Sequence, residues 1–360
     1  MNRSKIIIAG PCAAESKEQL LATAKQIFDL STTTIDTKHA FSLDNISISN
    51  FDFQYFRSGI WKPRTNPTDF HGVGSEAFAW LQEIKKRFGF KICVEVASAI
   101  HAQLCIENQI DAVWVGARTT VNPFLIQEIA DAVKHTSLTV LVKNPINPDL
   151  NLWIGAIQRF QNAGIRNVMA IHRGFSVENE NLFRNAPCWE IPMALKLKLP
   201  DIPILCDVAH IAGNVSLQQI IAQTAINYGF HGLMMEVHHA PEQALSDSKQ
   251  QLLPSKFAHL IASITFPASN NMAENELFLQ RHLIKSIDIQ ISKLLSKRME
   301  VVDEIALIKA KHALPLLQPV QWKKVVDIYK ENALKDDNFK QFLEEFLLLL
   351  HKSSLKRQES

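Results

Sequence analysis

The chain has 360 residues, 47% of them apolar and 21% charged, which is globular composition with one large core or two smaller ones and excludes a disordered chain. A formal net charge of +2 carries no general affinity for nucleic acid or for an anionic membrane surface. No apolar run reaches about 18 residues, the stretch after Ser4 is too short for a signal peptide, and the 5 cysteines are scattered without CxxC spacing, so the expectation is a cytoplasmic protein with no membrane span and no disulfide framework.

In chain order, short apolar, β-branched runs stand at 5–9, 56–60, 91–96, 111–115, 138–143, 167–172, 203–208 and 232–237, separated by helix-like stretches. Several are apolar at nearly every position, as strands covered on both faces of a parallel sheet are. Eight βα units in about 250 residues predict an α/β fold, a closed (β/α)8 TIM barrel over 1–264, with an open doubly wound sheet as the alternative. The first connection, 13–55, is long and holds a polar tract at 31–34, so extra structure is expected there. Ser269-Asn270-Asn271 reads as a hinge inside a linker at 265–275. From 283 to 311 there is no Gly or Pro, and Ile284, Ile287, Ile291, Leu294, Arg298, Val301, Ile305 and Ile308 recur in steps alternating three and four. That is the seam of a long helix that packs on other helices. Pro315 and Pro319 break the chain, and further helical stretches follow at 321–332 and 337–357. The expectation is a small all-α domain over 276–360, which at this size needs a partner subunit, making the protein a homodimer or higher homo-oligomer.

In a barrel, chemistry collects at the carboxyl ends of the strands. Those ends carry Cys12, Lys62 with Arg64, Glu95, Arg118, Lys143, His172 with Arg173, Asp207 with His210, and Glu236 with His238. Lys62, Arg64, Arg118, Lys143 and Arg173 put five cations at four ends of a nearly neutral chain. Crowded like charges are costly unless a phosphate or carboxylate ligand neutralises them, and Arg forks grip such oxyanions with two bonds. Five separate salt bridges to loop carboxylates are the alternative. Cys12, His210 and Glu236, with Asp247 close behind, form a second set. Its mixed sulfur, nitrogen and oxygen donors suit Mn, Fe, Co or Zn better than Mg or Ca. Their spacing has no local signature, so a buried free cysteine and a structural histidine are the alternative. His172, His238 and His239 are open to either role, further ligands or proton carriers.

The stretches AGPCAAES (9–16), KPRTNP (62–67), GARTT (116–120), VKNP (142–145), HRG (172–174), DVAHIAG (207–213) and EVHHAPEQALSDSKQQL (236–252) together resemble the 3-deoxy-7-phosphoheptulonate (DAHP) synthases, in the branch related to 3-deoxy-octulosonate 8-phosphate synthase. They occur in the family's order and cover almost the whole predicted barrel. The resemblance implies a shikimate-pathway transferase that condenses phosphoenolpyruvate with erythrose 4-phosphate. It implies that Cys12, His210, Glu236 and Asp247 hold a divalent metal and that Arg118, Lys143 and Arg173 grip phosphoenolpyruvate. Lys62, Pro63, Arg64 and Thr65 then meet the sugar phosphate, with Lys62 delivering a proton and Asp207 and His210 serving catalysis. Lys-Pro-Arg-Thr looks like the erythrose 4-phosphate version; the octulosonate enzymes instead show a Lys-Ala-Asn-Arg-Ser-like run, absent here. The chain departs from the family where Asp207-Val208-Ala209-His210 replaces Asp-Pro-Ser-His and where His172 replaces a glutamate before Arg-Gly.

In the tail, Arg298 sits on the apolar seam and needs a partner there. Lys309 follows 11 residues on, about three turns and so on the same face. Arg281 lies 17 residues before Arg298, about 25 Å along the axis, too far to share a small ligand within one chain. An antiparallel pairing would bring the partner subunit's Arg281 to the pair; a plain dimerisation bundle with solvated cations is the alternative. The tail resembles the all-helical chorismate mutases, since Arg281, Asp288, Arg298 and Lys309 keep that family's spacing and Ser354 with Gln358 fits its Ser-x-x-x-Gln. The resemblance implies an interlocked dimer whose cations clamp chorismate while it rearranges to prephenate, by orientation and electrostatics. Here too the chain departs: Gln318-Pro319-Val320-Gln321-Trp322 stands where the family has Asp-x-x-Arg-Glu. Gln318 and Gln321 keep hydrogen-bonding capacity, but Trp322 replaces a carboxylate that meets the substrate hydroxyl. The combined expectation is a bifunctional enzyme. The alternatives are a tail that only senses chorismate or prephenate and regulates the barrel allosterically, or a barrel that takes another aldose phosphate.

Overall fold

The computed structural model describes residues 4–32, 51–178, 182–266, 272–316, 318–332 and 337–359. Eight strands, β1 (Lys5–Gly10), β2 (Phe51–Ser58), β3 (Lys91–Val96), β4 (Ala112–Val115), β5 (Thr139–Lys143), β6 (Val168–His172), β7 (Ile204–Asp207) and β8 (Gly232–Glu236), pair in parallel in sequence order, and β8 closes on β1. The expected barrel forms and the open sheet does not. Around it run α1 (Lys17–Thr32), α2 (Ala77–Phe88), α3 (Ala99–Glu107), α4 (Ala117–Thr120), α5 (Pro123–Val133), α6 (Leu150–Asn162), α7 (Glu190–Lys198), α8 (Val208–Ala212), α9 (Gln218–Asn227) and α10 (Pro254–Ser263). Local chemistry starts several of them. Asn122 and Asp149 accept hydrogen bonds from the first turns of α5 and α6, and Pro123 opens α5 where no amide donor is needed.

Alternate strand residues face the inside of the barrel. Ile8, Tyr55, Cys93, Trp114, Leu141, Ile171, Leu205 and Met234, one from each strand, fill it together with Ala112. Their neighbours, such as Ala9, Phe56, Val113, Val142 and Met235, pack outward beneath the helices. Two residues beyond that inner layer, with the same parity, come Gly10, Arg57, Glu95, Gly116, Lys143, Arg173, Asp207 and Glu236. The site is therefore built as the next layer up. Its two glycines leave room: a Cβ at Gly10 would lie 2.2 Å from the Arg57 carbonyl, and one at Gly116 2.3 Å from Glu95 Oε1.

β2 starts five residues before the expected run. Ile7 pairs with Phe53 and Ile8 with Tyr55, leaving Gln54 as an extra residue, and this bulge plus exposed Asp52 hides the first half of the strand from a search for unbroken apolar runs. Residues 33–50 of the long first connection lie outside the described residues, as does the expected hinge at 269–271.

The chain divides into two compact units, Met1–Leu283 and Ile284–Ser360. The long helix, α11 (Met272–Lys311), begins earlier than its seam, and α12 (Pro319–Asn332) and α13 (Asp337–Glu359) follow. In the second unit Val302, Leu347 and Leu350 are buried, and Arg357 forks onto Asp303 at 2.5 and 2.8 Å. The apolar members Ile284, Ile291, Leu294, Val301, Ile305 and Ile308 of the seam are exposed, Leu294 by 67%, whereas Arg298 among them meets the buried Ser354 of α13. No helix among the described residues is long and apolar enough to cross a membrane.

Candidate functional site

At the carboxyl end of the barrel lies a cavity of about 640 Å³. Its lining contains Lys62, Pro63, Arg64, Thr65, Glu95, Arg118, Lys143, Arg173, His210 and Asp247, ten of the residues singled out from sequence, together with Arg184 and Asn185. Six of these are cations and two are carboxylates, with Asp69 a third at the rim. Burial, reinforced by Arg184 and Arg118, lowers the Arg173 guanidinium to about 10 despite the opposing charge of Asp207. Arg173 is held by Asn185, whose Oδ1 accepts from Nη1 at 2.7 Å and whose Nδ2 donates to the His210 carbonyl at 2.7 Å. Arg118 donates to Thr65 Oγ1 at 3.3 Å, and Arg64 donates to the Phe70 carbonyl at 3.1 Å.

Beneath the cavity the charges are paired and dry. Lys143 Nζ donates to Asp207 Oδ2 at 2.7 Å, and both are buried. Asp207 ends β7 and caps α8, accepting the His210 amide at 3.3 Å, while its carboxylate lies 3.0 Å from His210 Nδ1. Burial pushes the Asp207 carboxyl up, but His210 and Lys143 overcome it and hold the group well below the usual carboxylate range. Burial pulls His210 down although Asp207 opposes it; with Nδ1 turned to the Asp207 carboxylate, Nε2 is the ring nitrogen left for other partners. Arg57 reaches Glu236 Oε1 at 3.2 Å with both side chains buried, and its guanidinium lies 4.8 Å above the Trp114 ring. Arg57 Nε and Nη1 have no hydrogen-bond partner among the described residues.

Cys12, Glu236 and Asp247 converge here, with one ligand atom from each within 4.8 Å of the others. Cys12 donates to Asp247 Oδ2 at 3.2 Å, and Lys62 Nζ lies 3.0 Å from its sulfur. Glu236 accepts from Gln250 at 2.7 Å through one oxygen, while its buried Oε1 accepts no hydrogen bond among the described residues. Asp247 has a left-handed backbone (φ 50°) and accepts from Arg184 at 2.9 Å. A thiol beside two carboxylates, one with a buried oxygen that faces the Arg57 ion pair at 3.2 Å, fits a divalent cation. His210 stands at the edge of this trio, its Nδ1 3.8 Å from Glu236 Oε1 and turned to Asp207. For Lys62, burial works downward, but Cys12, Glu95 and Glu236 outweigh it and keep the ammonium charged.

The remaining histidines leave this site. His172 has outward parity and is fully buried among Trp153, Phe175, Trp189 and Phe230, at 5.1–6.5 Å between ring centres. Burial pushes it down to about 3, with Arg173 adding to the effect. His238 is buried and stacked on His239, and accepts the Ala240 amide through Nδ1. Neither belongs to the trio. Sequence reading missed Arg57, Arg184, Asn185 and Gln250. Arg57 had a signal, inward parity on β2, whereas the others stand in loops that only the fold brings over the strand ends.

In the helical unit, Arg298 Nη1 donates to Ser354 Oγ at 2.7 Å, and Lys309 Nζ donates to Gln358 Oε1 at 2.9 Å and to the Leu316 carbonyl at 2.5 Å. Two of the expected cations and both expected α13 partners therefore meet. Gln318 and Gln321 are exposed, and no hydrogen bond joins their side chains to this row among the described residues. Arg281 is exposed on α11, ahead of the second unit. Trp322 stacks on His351 with ring centres 3.8 Å apart.

Residues 2–265 match the DAHP synthetase I family and residues 280–359 match chorismate mutase type II. A phospho-2-dehydro-3-deoxyheptonate aldolase of Thermotoga maritima is 27% identical over 255 residues, covering 71% of this chain and 67% of that protein. A 2-dehydro-3-deoxyphosphooctonate aldolase of Helicobacter pylori is 25% identical over 285 residues, covering 72% and 94%. A crystal structure of the Thermotoga maritima DAHP synthase superposes with a TM-score of 0.59 at 27% identity, over 72% of this chain and 68% of that one.

Proposed function

The chain belongs to the DAHP synthetase I family, and from that membership we propose that its barrel condenses phosphoenolpyruvate with D-erythrose 4-phosphate, yielding DAHP and phosphate. A chorismate mutase type II domain is also present, so a transferase is joined to an isomerase of aromatic biosynthesis, and the mutase half converts chorismate to prephenate. We set the barrel at 1–264, a linker at 265–275 and the mutase domain at 276–360.

The observation that carries the reading is one cavity in which six cations stand over the Cys12–Glu236–Asp247 trio. Two anionic substrates neutralise that mouth. Arg118, Lys143 and Arg173 take the phosphate and carboxylate of phosphoenolpyruvate, with Asp207 accepting from Lys143 at 2.7 Å. Lys62, Pro63, Arg64 and Thr65 shape the aldose phosphate subsite. Cys12, Glu236 and Asp247, with His210 beside them, hold a divalent ion (Mn, Fe, Co or Zn by the donor set) that, when bound, polarises the aldehyde oxygen as a Lewis acid. C3 of phosphoenolpyruvate bonds to the aldehyde carbon, Lys62 Nζ gives a proton to the new hydroxyl, and water adds at C2. The bond from C2 to the phosphate oxygen then breaks, with the cations stabilising the departing phosphate. Phosphoenolpyruvate consumption should follow erythrose 4-phosphate and not arabinose 5-phosphate. The reverse preference would move the enzyme to the octulosonate branch.

In the tail, Arg298 and Lys309 clamp the two carboxylates, with Ser354, Gln358, Gln318, Gln321 and the partner subunit's Arg281 completing the site. The exposed stripe from Ile284 to Ile308 supports a homodimer. Trp322 in place of a carboxylate, with Gln318 and Gln321 exposed, favours a second reading, a non-catalytic sensor. Chorismate loss followed by ultraviolet absorbance, abolished by Arg298→Ala, selects the mutase. No turnover from a protein that still makes DAHP selects the sensor. We assign prephenate as the effector in either case, acting in the cytoplasm; inhibition that survives removal of residues 265–360 would sink that assignment.

A further inference from the structure

The cation row of the helical unit has a further polar neighbour on α13. His351, Ser354 and Gln358 stand at i, i+3 and i+7 of α13, and therefore on one face. Ser354 and Gln358 meet Arg298 and Lys309 of α11, which lie three turns apart on their own helix. The same face thus carries His351 to the cation row. Independently, both cations act on the imidazole: after burial, Arg298 and then Lys309 lower its proton affinity. The third wall is Trp322 on α12, stacked on His351 at 3.8 Å with an angle of 24° between the rings. Stacking engages the flat face of an imidazole and leaves both nitrogens on its edge, where in-plane hydrogen bonds form. His351 is half-buried.

We infer that His351 is a ligand-contacting, specificity-determining residue of the helical site, hydrogen-bonding the ring hydroxyl of a cyclohexadiene dicarboxylate whose carboxylates are held by Arg298 and Lys309, and that Trp322 is a positioning residue that holds the imidazole in place. This rests on the mutase reading. An imidazole suits the position, since a carboxylate would compete for the two cations whereas an imidazole leaves them to the ligand.

The test uses the full chain and two probes, prephenate and the same diacid lacking its ring hydroxyl, with binding followed by calorimetry. The wild type should prefer the hydroxylated probe by roughly tenfold, the worth of one hydrogen bond in a partly dry site. His351→Phe, which keeps the stack, should lose that preference while binding the deoxy probe within about twofold of wild type. His351→Gln should retain much of the preference, Trp322→Phe should keep it, and Trp322→Ala should lose it. Arg298→Ala should weaken both probes alike, which localises binding to this unit, and helical circular dichroism checks each variant's fold. Equal losses for both probes in His351→Phe would make His351 merely structural and overturn the inference. So would a preference that survives His351→Phe. A wild type that binds neither probe would bring down the mutase reading as well, and is told apart from the other outcomes by that alone.

Discussion

His172 offers the sharpest check on how the barrel sorts its strand-end residues. It follows Ile171, which faces the barrel interior, and precedes Arg173, which lines the cavity, so its own parity sends it outward into four aromatic rings. Burial pushes its proton affinity from the ordinary 6.5 down to about 3. Neither ring nitrogen has a hydrogen bond of good geometry among the described residues, although the Pro187 carbonyl raises the value somewhat. Between those two values the unfolded chain binds a proton that the folded chain refuses. His172 therefore costs nothing above about pH 6.5, and stability is lost progressively as the pH falls toward about 3. At pH 5 the loss is about 2 kcal/mol, since one and a half pH units below the unfolded value are each worth about 1.4 kcal/mol. His172→Phe fills the same aromatic space without a titrating group. Urea unfolding followed by tryptophan fluorescence reports the barrel, since of the 6 tryptophans only Trp322 lies beyond residue 283. The variant's stability relative to wild type should improve by about 2 kcal/mol between pH 7 and pH 5, while DAHP synthase turnover keeps its pH profile. Parallel pH slopes for the two proteins, or a collapse of turnover, would refute the reasoning and return His172 to the site as a proton carrier.

Asn185→Ala removes the acceptor of Arg173 and leaves the His210 carbonyl without its donor; the KM for phosphoenolpyruvate should rise roughly tenfold, and an unchanged KM would show that Arg173 is fixed by other means. Gly213 has a φ of 72°, and a Cβ there would lie 2.5 Å from Arg184 Cβ, so Gly213→Ala should displace Arg184 from Asp247 and Gln250 and weaken divalent metal binding several-fold, read by equilibrium titration of the metal. Wild-type metal affinity in that variant would separate Arg184 from the trio. Leu294→Asp places a charge in the exposed α11 stripe and should shift the protein to monomer in sedimentation velocity; an unchanged mass would remove the stripe from the subunit interface.

The strands were legible because a strand buried on both faces must be apolar almost throughout, and that demand is written locally; 91–96 matches β3 to the residue. β2 was legible only in its second half, because a bulge at Gln54 and exposed Asp52 are tolerated at the edge of the barrel where solvent is near. The strand-end cations could be read from sequence as a group, since ligand-free crowding is costly wherever it occurs. The seam on α11 was likewise legible as a period, yet its facing surface was not: within the chain apolar members such as Leu294 are left exposed, and the small core is built around Val302 instead. What tertiary structure alone decided is which neighbours share a point in space. His172 and Arg173 are adjacent letters, and only closure of the barrel sends one into an aromatic cage and the other into the cavity. Arg184 meets Asp247 and Gln250 from a segment more than 60 residues earlier in the chain. Period and composition are properties of a line, whereas a site is a property of the folded surface, where pairing depends on loop paths that no local pattern encodes.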